Sequence, residues 1–384
     1  MTGERDGDLA QSRHNNGLRF GQHRRHALTR RSVLKAGLGA AGALGVSAAG
    51  LPAGPAAAQA GKSVAFGGAI QSEYLDSDPD YIGAFLAHCD LVMPMNELKF
   101  DLIHPARDEW NFAPADRIVD LALSNGKTSR GTCHVWWGAT PSWVERIDTA
   151  RDAERVLVDH IERVSDRYKG KLTGWDVVNE VLAFDPREDG PLRDTYWLRM
   201  LGPRHIPLAL RTVARTDPGA RLVVNDYDLE FVGDLYDVRR GVMLDLVRQL
   251  QDGGVRVDGV GIQGHLYAGR TIDKDAVEAF HRELDRMGIE LLVTELDVID
   301  LETFDGPDEM DRIAYGLVDD LLDAVFAWKA PAMVVAWGIT DRYTWIPDLM
   351  PRSDGTPHRP LPLTRDYEAK DWMALLKRRL AAGA

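Results

Sequence analysis

Eight short apolar runs, separated by amphipathic segments, constrain this 384-residue chain more than any other feature. They cover residues 63–70, 91–96, 128–136, 172–179, 221–225, 259–265, 290–295 and 332–339. Nearly all are apolar on both faces, a pattern that suits strands of a parallel sheet covered by helices on each side. Helical periodicity marks the intervening segments, among them 152–168, 204–216, 237–251, 275–287 and 308–328. Asn125-Gly126, Pro218-Gly219, Gly253-Gly254 and Gly288 stand where such helices should stop, because glycine accepts the left-handed conformation that closes a helix. Eight strand–helix units in roughly 320 residues predict an α/β fold, a single-domain (β/α)8 TIM barrel. An open doubly wound sheet is the competing architecture. No Gly-x-Gly-x-x-Gly follows a strand and no lysine phosphate loop is present, so the phosphate-binding signatures of that fold are missing.

Composition narrows the function. The chain is 45% hydrophobic and 27% charged, which suits a sizeable core and argues against disorder. Its net charge of −13 is the wrong sign for holding nucleic acid. Two cysteines, Cys89 and Cys133, exclude a disulfide scaffold and a four-cysteine metal knuckle. There is no His-Glu-x-x-His spacing, and neither a metal nor another cofactor is expected.

The first sixty residues read as an export signal. Eight basic groups (Arg5, Arg13, Arg19, Arg24, Arg25, Arg30, Arg31 and Lys35) face three acidic ones. A weakly apolar stretch of Ala and Gly follows over 36–51, then Pro52, Pro55 and the small-x-small site Ala58-Gln59-Ala60. Thr29-Arg30-Arg31-Ser32-Val33-Leu34-Lys35 resembles a twin-arginine signal. The competing reading is a membrane anchor, but a spanning helix needs about 20 strongly apolar residues. Removal of 1–60 leaves 38 basic and 56 acidic residues, a charge of −18, with no membrane contact expected. The expectation is a secreted or periplasmic protein, handled by twin-arginine machinery and exported already folded. Folding in a reducing cytosol predicts free, buried Cys89 and Cys133 rather than a bridge.

A barrel keeps its chemistry at the carboxyl ends of its strands. There the sequence places Asn96, Glu97 and Lys99, then Trp136-Trp137, Asn179-Glu180, Asn225-Asp226, Gln263-Gly264-His265, Glu295-Leu296-Asp297, and finally Trp337 with Asp341 and Trp345 beyond. Glu180 and Glu295 end the fourth and seventh runs, and Glu is seldom buried unless paired or used. Two facing carboxyls, roughly 5 Å apart and flanked by Trp, suit glycosidic bond cleavage.

At this point a resemblance becomes specific. Trp175-Asp176-Val177-Val178-Asn179-Glu180 and Val293-Thr294-Glu295-Leu296-Asp297 resemble the two active-site segments of glycoside hydrolase family 10, the endo-β-1,4-xylanase family. Asn96-Glu97-Leu98-Lys99, Pro141-Ser142-Trp143, Val224-Asn225-Asp226-Tyr227, Gly261-Ile262-Gln263-Gly264-His265-Leu266 and Val335-Ala336-Trp337-Gly338 match in order. The resemblance implies a catalytic domain over 61–384 that takes a β-1,4-linked polysaccharide or oligosaccharide. It implies Glu180 as acid/base and Glu295 as nucleophile of a retaining double displacement. Asn179, His265 and Asp297 are implied as supports. Asn96 and Lys99 are implied as sugar contacts, and Gln263, Trp136, Trp337 and Trp345 as walls of the cleft.

The third strand departs from the family. Where members usually read Gly-His-Thr-Leu-Val-Trp-His, this chain reads Gly131-Thr132-Cys133-His134-Val135-Trp136-Trp137. Ala139 replaces a glutamine, and Met95 stands where a glutamate usually precedes Asn96. All four changes (Met95, Thr132, Trp137, Ala139) are expected on the non-reducing side of the cleft, predicting weaker glycone binding or a different preferred sugar. Strand alternation puts His134 on the face of Trp136, where it is expected to replace the missing imidazole in part. A same-fold glycosidase of altered specificity and a non-hydrolytic sugar-binding homologue remain as alternatives.

Overall fold

Residues 63–300 and 306–382 are described by a computed structural model; the expected export segment 1–60 lies outside them. Nine strands, β1 Ala65–Ile70, β2 Leu91–Pro94, β3 Gly131–Trp136, β4 Gly174–Asn179, β5 Arg221–Asp226, β6 Gly259–Ile262, β7 His265–Tyr267, β8 Glu290–Ile299 and β9 Met333–Ala336, make eight staves. All pairings between them are parallel. The order β2-β1-β9-β8-β6-β5-β4-β3 is that of a (β/α)8 barrel. Its seam, between β2 and β3, is drawn together by the Leu91–Thr128 bridge, where Val92 N–H donates to the Thr128 carbonyl at 3.0 Å.

Helices α1 Pro79–His88, α2 Ala113–Ser124, α3 Ala150–Tyr168, α4 His205–Thr216, α5 Asp234–Asp252, α6 Lys274–Arg286, α7 Pro307–Phe326 and α8 Asp371–Ala382 follow the staves in turn. In α3 the buried residues Ala153, Val156, Leu157, His160, Ile161 and Val164 recur every three or four positions, which makes one apolar stripe against the sheet. Thr149 caps it, accepting the Asp152 N–H at 3.2 Å. Cys89 and Cys133 are buried and unpaired. Among the described residues no helix is long and apolar enough to cross a membrane.

Two irregularities matter to the site. The sixth run, read from sequence as one segment, is broken into β6 and β7 at Gln263-Gly264, where Gly264 takes φ +76°. The break turns the Gln263 side chain toward Glu180 and Asn179 and brings His265 into register with Asp297. Register also slips by one residue in β3 between Thr132 and Val135, in β4 between Asp176 and Val178, and in β8 between Val293 and Leu296. Such bulges change which face the following side chains occupy. In β4 the slip lets Asp176 and Asn179, three positions apart, both meet polar partners inside the barrel.

Beneath the site, Arg130 and Asp176 form a buried ion pair. Burial pushes the Asp176 carboxyl up to about 6, and Arg130 pulls against that shift. Breaking a buried pair from one side leaves an uncompensated group, at a cost of about 3–5 kcal/mol. Arg130→Met is therefore expected to lower the thermal midpoint by several degrees. The double variant Arg130→Met/Asp176→Leu should regain much of that loss in the same melting experiment.

Candidate active site

The site is organised by one carboxamide at the end of β5. Asn225 Nδ2 donates to Glu295 Oε1 at 2.7 Å and to Asn179 Oδ1 at 2.9 Å. Its Oδ1 accepts the Thr294 hydroxyl at 2.6 Å, which fixes the orientation of the amide. Its backbone carbonyl accepts the Glu180 N–H at 2.9 Å. Space for this side chain comes from Gly261 on β6, where an added Cβ would stand 2.1 Å from Asn225 Oδ1. Gln263 Nε2 completes the circuit, donating to Asn179 Oδ1 at 3.2 Å and to Glu180 Oε1 at 3.3 Å. Glu180 and Glu295 are thus linked through three amides, and both belong to one site.

Each carboxylate has further partners. Glu295 is buried and has His265 Nε2 3.4 Å from Oε2. His265 Nδ1 meets Asp297 Oδ1 at 2.7 Å, and Trp345 Nε1 donates to Asp297 Oδ2 at 2.8 Å while its ring stands edge-on to the imidazole. Burial alone would depress the His265 pKa. The Asp297 carboxylate, then Glu295, outweigh burial and hold it well above its ordinary value. The imidazolium places positive charge beside the buried Glu295 carboxyl. Glu180 is half-buried, and its backbone is left-handed at φ +54°. Arg193 Nε donates to its carbonyl oxygen at 3.1 Å. Behind it, buried Asp226 accepts the Leu182 N–H at 2.9 Å and Arg239 Nη2 at 2.6 Å, which pins the loop that follows Glu180.

A wall forms after β2. Lys99 Nζ donates to Asn96 Oδ1 at 2.8 Å and lies 4.8 Å from the Trp136 ring and 5.5 Å from the Trp337 ring. Asn96, Lys99, Trp136 and Trp337 are therefore gathered on one wall.

His134 is not. Its Nε2 pairs with the Ser165 hydroxyl of α3 at 3.1 Å, and its ring packs on Trp175, 4.2 Å between centroids. Burial lowers its pKa to about 3, so it is a neutral core side chain. The expectation that it shares a face with Trp136 fails because the slip in β3 interrupts strict alternation. The four departures also part company. Met95 is buried in a small apolar cluster with Met93, Val335 and Trp337. Thr132 and Ala139 are buried too. Trp137 is exposed and donates from Nε1 to Glu180 Oε2 at 2.7 Å. It bears on the Glu180 carboxyl. Sequence reasoning placed Asn225 and Trp137 at the carboxyl ends of their strands but gave neither of them a contact with Glu295 or Glu180. Among the described residues, no cluster of three His, Cys, Asp or Glu is placed to hold a metal.

The chain matches the model of glycosyl hydrolase family 10 over residues 55–378. Endo-1,4-beta-xylanase B of Paenibacillus barcinonensis is 30% identical over 328 residues, covering 80% of this chain and 93% of that protein. The structure of native xylanase 10B from Thermotoga maritima superposes with a TM-score of 0.75 at 27% identity, over 83% of this chain and 95% of that one. Xylanase 10B from Thermotoga petrophila, solved in complex with xylobiose, gives a TM-score of 0.73 at 28% identity, over 83% and 94%.

The His265 charge sets a pH test. Its raised pKa contributes stability that is fully present below the unfolded value of about 6.5 and is lost as pH rises through the folded value. Asp297→Asn should move the His265 titration down in an NMR experiment on ring nitrogens. The stability gap to the wild type should be widest at and below neutral pH and narrow in alkali.

Proposed function

The chain belongs to glycosyl hydrolase family 10, and from that premise we propose a retaining endo-β-1,4-xylanase in which Glu180 is the acid/base and Glu295 the nucleophile. The observation that carries the assignment is the shared amide circuit of Asn225, Asn179 and Gln263, which serves both carboxylates and no other acidic group.

The mechanism follows from the partners. Glu295, oriented by Asn225 and charge-balanced by His265, attacks the anomeric carbon. Glu180 gives its proton to the departing sugar oxygen as that bond breaks. Glycosylation removes the Glu295 charge, and Glu180, now a carboxylate, takes a proton from the incoming water. Asn179 spends its side-chain oxygen on Asn225 and Gln263, so its Nδ2 is the group that can donate to the sugar's 2-hydroxyl. Lys99 and Asn96 offer a cation and an amide between Trp136 and Trp337, a suitable seat for hydroxyls over flat apolar surface. Residues 61–384 form the catalytic domain in this reading, and residues 1–60 direct export by the twin-arginine route to the periplasm or medium.

Reducing-sugar release should be rapid from xylan and slow from a cellulose-type β-glucan. Glu295→Ala should fall to the blank, and proton NMR of early products should show the β-anomer. Early α-anomer, or an active Glu295→Ala, would overturn the mechanism. Gly261→Ala should also cut kcat, by roughly 10²–10³-fold, the usual cost of losing one oriented donor. Wild-type turnover in that variant would mean that Asn225 does not orient Glu295.

A further inference from the structure

β3 ends in a short turn, Trp137–Ala139, and Trp137 stands there 44% exposed. Its indole N–H and the Gln263 amide divide the Glu180 carboxyl between them. Nε1 donates to Oε2 at 2.7 Å, whereas Oε1 has the Gln263 amide at the longer distance of 3.3 Å. The Arg193 guanidinium lies 5.1 Å from the Trp137 ring centroid, bonds the Glu180 carbonyl oxygen, and reaches the Tyr227 hydroxyl. Indole and guanidinium therefore hold Glu180 from two sides, the first at its carboxyl and the second at its left-handed backbone.

An indole N–H donates and cannot accept. The indole holds Oε2 at 2.7 Å, whereas the Gln263 amide stands 3.3 Å from Oε1, so Oε1 is the less firmly engaged oxygen and the freer one to carry the acidic proton. We propose that Trp137 is the positioning residue of the acid step, fixing the plane of the Glu180 carboxyl and leaving Oε1 as the oxygen that delivers the proton to the departing sugar oxygen. This rests on Glu180 being the acid/base. In the step the glycosidic C–O bond breaks, its electron pair goes to the leaving oxygen, the proton moves there from Oε1, and Glu180 is left as carboxylate. Indole does not titrate in the working range, so the contact orders the carboxyl at every pH. The titratable and charged groups around Glu180 are Arg193, Tyr227, Asp226 and, across the amide circuit, Glu295; none of them bonds Oε2.

Trp137→Phe keeps a ring under Arg193 and removes only the donor. Its kcat on xylan should fall roughly 10- to 100-fold, a part of the roughly 10²–10⁴-fold that general acid catalysis supplies. The kcat/KM for a dinitrophenyl β-xylobioside, which reports only the first displacement and whose leaving group needs no proton, should stay within about threefold of the wild type, since acid assistance is not used there. Trp137→His restores a donor only while the facing nitrogen carries a proton. It should recover part of the xylan rate and add an inflection near about pH 6.5, the ordinary imidazole value. Equal losses on both substrates in Trp137→Phe, or no loss on xylan, would overturn the proposal. If Glu180→Ala itself keeps full activity on xylan, the acid assignment has failed instead, and the two failures are told apart.

Discussion

One buried carboxamide holds this site together. Asn225 spends both amide protons on Glu295 and Asn179, takes the Thr294 hydroxyl on its oxygen, and receives the Glu180 N–H on its backbone carbonyl. A side chain as polar and as buried as Glu295 needs hydrogen-bond partners. Asn225 and the His265 imidazolium supply them, while Asp297 and Trp345 keep His265 in place. The position is possible because the neighbouring strand has no side chain at Gly261. Backbone geometry, packing and electrostatics meet at this residue, and both carboxylates depend on it.

The barrel makes the arrangement through its irregularities as much as through its regular pairing. A parallel stave presents alternate residues to the lumen. Catalysis here requires near neighbours on the same side: Thr294 and Glu295 both touch Asn225, and Asp176 and Asn179 both face inward. The slips in β4 and β8 supply that freedom. The ion pairs Arg130–Asp176 and Arg239–Asp226 lie under and behind the cleft, and both partners of each are buried. Rigid support below lets a left-handed glutamate persist at the rim.

The residues Met95, Thr132, Trp137 and Ala139 take different places in the structure. Met95, Thr132 and Ala139 are absorbed into packing, and Met95 fills space beneath Trp337. Trp137 alone of the four reaches a carboxyl of the site, by an N–H that meets Glu180. The Lys99–Asn96 pair is held between two tryptophans.

Much was legible in the sequence. The apolar runs pointed to eight parallel staves covered by helices, because burial on both faces suits a parallel sheet, and the missing phosphate signatures argued against the open doubly wound alternative. Residues that end runs, such as Glu180, Glu295, Asn179, Gln263 and His265, were legible as site residues, because a polar group at the carboxyl end of a barrel strand has a cleft to face. Tertiary structure alone decided the rest. A one-residue slip leaves no mark in composition or period, yet it reverses which side chains face inward. That is why His134 went to the core against Ser165 and Trp175. Asn225 and Trp137 acquired roles from partners 70 and 43 positions away, Glu295 and Glu180. Only closure of the barrel brings such residues within 3 Å of each other.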